Sequence, residues 1–173
     1  MNDELEFTVI SDTHYYSKKN FVDGFDKNKK PKPGQLFFSR SEEIVEHTFA
    51  CLCKNDTPDI VLISGDLTYN GERTSHDEMK AALKKLQQNG KRVYVITATH
   101  DYTTPRMPTY GIDKNDKYIE VESVKRTQLL KYYGDFGYNN AIAKHKSTMS
   151  YVAQLADGYR LFALNDDYGD PDC

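Results

Sequence analysis

The residues of this chain whose types and spacing can do chemistry fall in three short signatures: Asp12-Thr13-His14, Gly65-Asp66 and His100-Asp101. Each follows an apolar run, namely Phe7-Thr8-Val9-Ile10, Ile60-Val61-Leu62-Ile63 and Val93-Tyr94-Val95-Ile96. Carboxylate oxygens and imidazole nitrogens in mixture suit Mn, Fe, Zn and related divalent cations. Open α/β sheets gather functional groups in the crevice beyond the carboxyl ends of their strands. Signatures delivered there from three strands can converge on one point, and the chemistry they point to is metal-assisted hydrolysis. Any one of them arises often by chance. The ordered set, each member after a strand and separated by helices, does not.

The elements that must position these groups are legible. Strand one is expected over about Glu4 to Ser11. A helix is expected from Ser39, where Ser39-x-x-Glu42 fits a capping box, with Ile44, Val45, Thr48, Phe49 and Leu52 on one face at helical spacing. A second is expected from Ser75-x-x-Glu78, with Met79, Ala82, Leu83 and Leu86 inward and Asn89-Gly90 as its stop. Each helix precedes a β-branched run, so the first half reads as βαβαβ with parallel strands. Tyr15 to Gly34, carrying Lys18, Lys19, Lys27, Lys29, Lys30 and Lys32, reads as a long solvated loop. Tyr102 to Glu122, with Pro105, Pro108 and Gly111, reads as a long surface loop. A helix is expected from Ser123 to about Tyr133, closed by Gly134. Thr148 to Leu155 and Tyr159 to Asn165 flank Asp157-Gly158, a hairpin turn signal.

Composition narrows the class. With 173 residues, one domain is expected, large enough to bury a core. A net charge of -3 gives no support to nucleic-acid binding. No apolar run approaches the roughly 18 residues of a membrane span. Met1-Asn2-Asp3-Glu4 shows no signal-peptide character, so a cytoplasmic location is expected. Three cysteines, with Cys51 and Cys53 two apart on the first helix and Cys173 at the end, argue against a disulfide framework. His47, His76 and His145 are expected at the surface, and Arg106 is expected to be exposed. The 13 tyrosines are read as packing residues. No Gly-x-Gly-x-x-Gly follows the first strand, which argues against a dinucleotide-binding domain.

The ordered set Asp12-x-His14, Gly65-Asp66-Leu67-Thr68-Tyr69-Asn70-Gly71-Glu72 and His100-Asp101 resembles the calcineurin-like metallophosphoesterases. Ser64-Gly65-Asp66-Leu67-Thr68 with Asn70-Gly71-Glu72 is similar to their bacterial phosphodiesterase branch. The resemblance implies an αββα sandwich of paired sheets and two divalent metals that activate water against a phosphate ester. It assigns Asp12 and His14 to the first metal, Asp66 to a bridging position, and His100 to the phosphate and leaving group. Asp101 is then placed to orient the His100 ring, since a hydrogen-bonded partner fixes a tautomer. Ala98-Thr99 stands where the family has Gly-Asn. Thr99 offers a hydroxyl in place of an amide oxygen to the second metal, and Ala98 would strain a turn that needs positive φ. The family draws further histidines from a second half, whereas only His145 follows Asp101 here. A single domain over 1–173, truncated in its second half, is therefore expected, with self-association through an exposed sheet edge. A non-catalytic binding or assembly module on the same fold is the alternative reading.

Overall fold

The computed structural model describes residues 4–23, 38–54, 56–115 and 117–166. The expectations for 24–34 and for Cys173 fall outside them. Three four-residue strands, β1 (Phe7–Ile10), β2 (Ile60–Ile63) and β3 (Arg92–Val95), form a parallel sheet in the order β1-β2-β3. The register pairs Ile10 with Ile63 and Ile63 with Val95, so the strands end level and their following loops leave side by side. β2 is central, and Ile60, Val61 and Ile63 are buried, as a strand covered on both faces requires. β1 lies at the edge and leaves Phe7 and Val9 exposed.

The crossovers are α1 (Ser41–Leu52) and α2 (Arg73–Gln88). Val45, Phe49 and Leu52 from α1 join Met79, Leu83 and Leu86 from α2 and the buried valines of β2 and β3 in one core. A cavity of about 660 Å³ lies between the two helices. Neither helix uses its expected capping box. α1 starts two residues after Ser39, behind a 3-10 turn over Phe38–Arg40, with Arg40 at its cap position. α2 starts before Ser75, with Glu72 at its cap position. The first-turn hydroxyls brace the chain beyond β1 instead. Ser41 Oγ accepts the Tyr16 amide (2.9 Å), and Ser75 Oγ accepts the Ser17 amide (3.1 Å) and Asn20 Nδ2 (3.1 Å). Tyr15, Tyr16, Ser17 and Asn20 are buried in consequence, so the chain after β1 is not a solvated loop from its start.

The segment 102–122 also departs from a plain surface loop. It contains a hairpin of β4 (Tyr110–Ile112) and β5 (Tyr118–Glu120), and Tyr102, Thr104 and Thr109 are buried. The expected helix over 123–133 is shorter, a 3-10 turn over Arg126–Gln128 leading into α3 (Leu129–Tyr133). β6 (Ala143–Lys144), β7 (Tyr151–Ala156) and β8 (Tyr159–Ala163) make an antiparallel second sheet. Asp157-Gly158 turns β7 into β8, with Gly158 at φ 81° as a tight hairpin demands. Tyr151, Ala153 and Ala163 face the common core, and the Tyr151 hydroxyl donates to the Val95 carbonyl (3.1 Å). Phe162 and Leu164 face outward, 63% and 72% exposed. The result is the mixed α/β architecture expected, with a parallel sheet, helices and a second sheet. No helix among the described residues is long and apolar enough to cross a membrane.

Stability should follow this division. Leu83 is fully buried, so Leu83→Ala is expected to cost about 2–5 kcal/mol in urea unfolding. Phe162→Ala, at an exposed site, should stay within about 0.5 kcal/mol.

Candidate metal centre

Parallel pairing continues beyond the strands. Ser64 N–H donates to Ile10 O (3.0 Å), Asp12 N–H to Gly65 O (3.2 Å), His14 N–H to Asp66 O (2.9 Å) and Tyr15 N–H to Leu67 O (2.9 Å). Thr13 Oγ1 adds a bond to Leu67 O (2.8 Å). The first two signatures are therefore held in register by backbone. The zipped path has a conformational cost. Asp12, His14 and Asp66 have φ of 54°, 40° and 50°, and the only other non-glycine residue with positive φ among the described residues is Met149. Left-handed backbone at such residues costs on the order of 1–3 kcal/mol each and tends to mark functional sites.

The side chains converge. Ligand atoms of His14, Asp66 and His100 lie within 4.8 Å of one another. His14 Nε2 is 3.6 Å from Asp12 Oδ1 and 3.9 Å from Asp66 Oδ2, and the His14 and His100 rings meet edge to face at 4.7 Å. Asp12 is the exposed member, with its carboxylate also bonded to Ser11 Oγ. Burial, followed by the neighbouring His100, lowers the pKa of His14 against the opposing pull of Asp66 and Asp12. A neutral imidazole, the form that ligates, is thereby favoured. Asp66 Oδ1 accepts the His100 backbone N–H (3.0 Å), which ties the second signature to the third.

The His100 ring is fixed by acceptors. Nδ1 faces the Tyr69 carbonyl (2.5 Å) and Asn70 Oδ1 (2.9 Å). A carbonyl only accepts, so Nδ1 carries a proton, and in the neutral ring the lone pair is on Nε2. The expected pairing of Asp101 with this ring is not found. Asp101 is fully buried and turned away: Oδ1 accepts the Thr68 N–H (3.0 Å) and Oδ2 the Ala98 N–H (3.0 Å), closing the 3-10 turn over Thr99–Asp101. Burial pushes its pKa up to about 7, with those N–H bonds opposing the rise. Ala98 is extended at φ -138°, so the expected strain there is absent. The glycine requirement sits across from it, at Gly65, where φ is 101° and an added Cβ would lie 2.6 Å from that of Ala98.

Two buried groups escaped the sequence reading. His76, expected at the surface, is fully buried between Tyr133 Oη (2.6 Å from Nδ1) and the Asp101 carbonyl (2.9 Å from Nε2), and burial lowers its pKa to about 3. Glu72 is fully buried, and Oε1 accepts the Asn70 N–H (3.0 Å), with burial pushing its pKa up to about 7. The signal for His76 was the helical spacing Ser75-His76-x-x-Met79-x-x-x-Leu83, which places it at the border of the apolar face. His47, His145 and Arg106 are exposed, as expected. Lys18 and Lys19 are ion-paired with Glu42 (2.9 Å) and Glu78 (2.8 Å). Cys51 and Cys53 are free thiols.

Among known proteins, the family model described as calcineurin-like phosphoesterase matches residues 5–167. No curated protein matches the chain.

The buried imidazole makes a prediction. The folded pKa of His76, about 3, lies below its unfolded value near 6.5, so the unfolded chain binds the extra proton between them. His76 thus contributes stability that is present above pH ~6.5 and is lost as pH falls toward 3. Urea unfolding from pH 7 to 4 should show wild type losing stability relative to His76→Gln, with a slope of about one proton. A pH-independent difference would contradict a buried neutral imidazole.

Proposed function

Because the chain belongs to the calcineurin-like phosphoesterase family, we propose that it hydrolyses phosphate esters, phosphodiesters foremost, at the His14–Asp66–His100 cluster. The single observation that carries this reading is that the clustered donors stand on backbone held in the left-handed region at two of the three positions. The family is metal-dependent, and Asp12, His14 and Asp66 offer a divalent cation two carboxylates and an imidazole in mixed oxygen and nitrogen ligation, with His100 beside them. His14 Nδ1, buried without a hydrogen-bond partner among the described residues, belongs to a ring poised by its other contacts.

Asp12, His14 and Asp66 are the proposed cation ligands. When bound, the ion supplies positive charge against the phosphoryl oxygens and makes water a nucleophile near neutral pH. His100 is proposed to face the phosphate. With Nδ1–H fixed on Tyr69 and Asn70, its Nε2 is the atom that takes up a proton from water and delivers it to the leaving oxygen. Asp66 holds both sides of this arrangement, one oxygen toward His14 and the other on the His100 amide. Asp101 acts through the turn rather than on the ring. Thr99 offers only a hydroxyl where an amide oxygen would ligate more strongly, and one tight ion per chain follows. Manganese is the proposed probe ion. A binding or assembly module is the second reading, favoured by the outward apolar side chains Phe162 and Leu164 and by the exposed edge of β1.

Calorimetric titration with Mn²⁺ should give one tight site in wild type and none in Asp66→Ala. With Mn²⁺ present, bis(p-nitrophenyl) phosphate should be hydrolysed. His100→Asn keeps a donor near the Nδ1 position and removes Nε2, and it should slow turnover by about 10²-fold or more. Saturable Mn²⁺ binding without hydrolysis of that ester would favour the second reading.

A further inference from the structure

The fully buried His76 lies outside the proposed chemistry, yet its Nε2 side faces the turn that carries His100. The Tyr133 hydroxyl, on α3, is 2.6 Å from His76 Nδ1. On the other side, Nε2 lies 2.9 Å from the Asp101 carbonyl and 3.3 Å from Thr68 Oγ1. A carbonyl can only accept, so Nε2 carries the proton and Nδ1 receives that of Tyr133. The Thr68 hydroxyl accepts the Gly71 N–H (3.3 Å) and donates to the His100 carbonyl (3.1 Å). The donors run in one direction, from Tyr133 through His76 and Thr68 to the carbonyls of His100 and Asp101. Tyr133 is 1% exposed and His76 is 0% exposed, so water cannot replace either partner. Burial keeps the His76 ring neutral, the state this direction requires.

We propose that His76, backed by Tyr133, is a positioning residue that braces the Thr99–Asp101 turn from below and so aims the His100 ring into the cluster. This rests on the reading of His100 as a working member of the site. The brace has a particular geometry. It needs a donor at the position of Nε2, not merely a polar group of similar size in the core. His76→Gln can place its amide nitrogen there. His76→Asn stops one bond short and leaves the Asp101 carbonyl without its donor.

The test uses the full chain as wild type, His76→Gln, His76→Asn and Tyr133→Phe, with thermal midpoints recorded as a control on folding. Two readouts are taken. The first is the ¹⁵N-resolved Nδ1–H signal of His100 in metal-free protein. The second is the Mn²⁺ dissociation constant. Wild type and His76→Gln should both keep a protected His100 Nδ1–H. His76→Asn should lose that protection and raise the Mn²⁺ dissociation constant about tenfold, because the His100 N–H of the braced turn backs the ligand Asp66. Should His76→Asn fail to fold, Tyr133→Phe carries the test, since it removes one hydroxyl and should speed exchange at His100 Nδ1–H. Equal behaviour of the Gln and Asn variants, or a His100 signal unchanged in every folded variant, would overturn the brace. Absence of Mn²⁺ binding in wild type would overturn the cation reading instead, and the His100 signal would still decide the brace.

Discussion

Four backbone hydrogen bonds that extend the β1–β2 pairing past the strand ends are the constraint on which the site depends. They convert two loops into a short parallel zipper, so Asp12, His14 and Asp66 have no freedom of register. A slip of one residue would turn each side chain to the opposite face. The zipper also forces three of these residues into left-handed backbone, which the chain accepts because helix-borne hydroxyls brace the far side. Stability is thus supplied by α1 and α2 at the place where the backbone between them is least comfortable.

The third signature is attached by a different device. Asp66 binds the His100 amide, Asp101 closes its own turn on Ala98 and Thr68, and Gly65 permits the close approach of Ala98. The carboxylates thereby divide their labour. Asp66 looks outward to the cluster with one oxygen and inward to backbone with the other, whereas Asp101 is spent on backbone N–H groups and the Thr68 hydroxyl. Position next to a histidine in sequence says nothing about which of these a carboxylate will do, because a 3-10 turn swings successive side chains apart.

Much of this was legible in the residues. The βαβαβ order followed from apolar periodicity in α1 and α2 and from β-branched runs in β2 and β3, signals that depend on local spacing. Asp157-Gly158 announced its hairpin because a two-residue turn needs a residue that tolerates positive φ. Convergence of His14, Asp66 and His100 was legible from three strand ends. The capping box at Ser75 was not realised, because Ser17 and Asn20 take its hydroxyl in place of a local bond worth about 1 kcal/mol, and that at Ser39 was not, because the helix begins two residues later. His76 was misplaced since histidine is ambivalent about burial, and only Tyr133 and the Asp101 carbonyl, distant in sequence, decide it. The hairpin of β4 and β5 hid among prolines and charges, and its partners, Tyr16 and Phe21, lie some ninety residues away by the contact of Tyr16 Oη with the Tyr110 carbonyl.

The central claim is that a cation is held where the zipper and the third strand end meet. Crystals soaked in Mn²⁺ and measured at the manganese absorption edge test it most directly. The account predicts an anomalous peak in contact with His14 and Asp66, beside His100. A peak elsewhere on the surface, or none at saturating Mn²⁺, would contradict it.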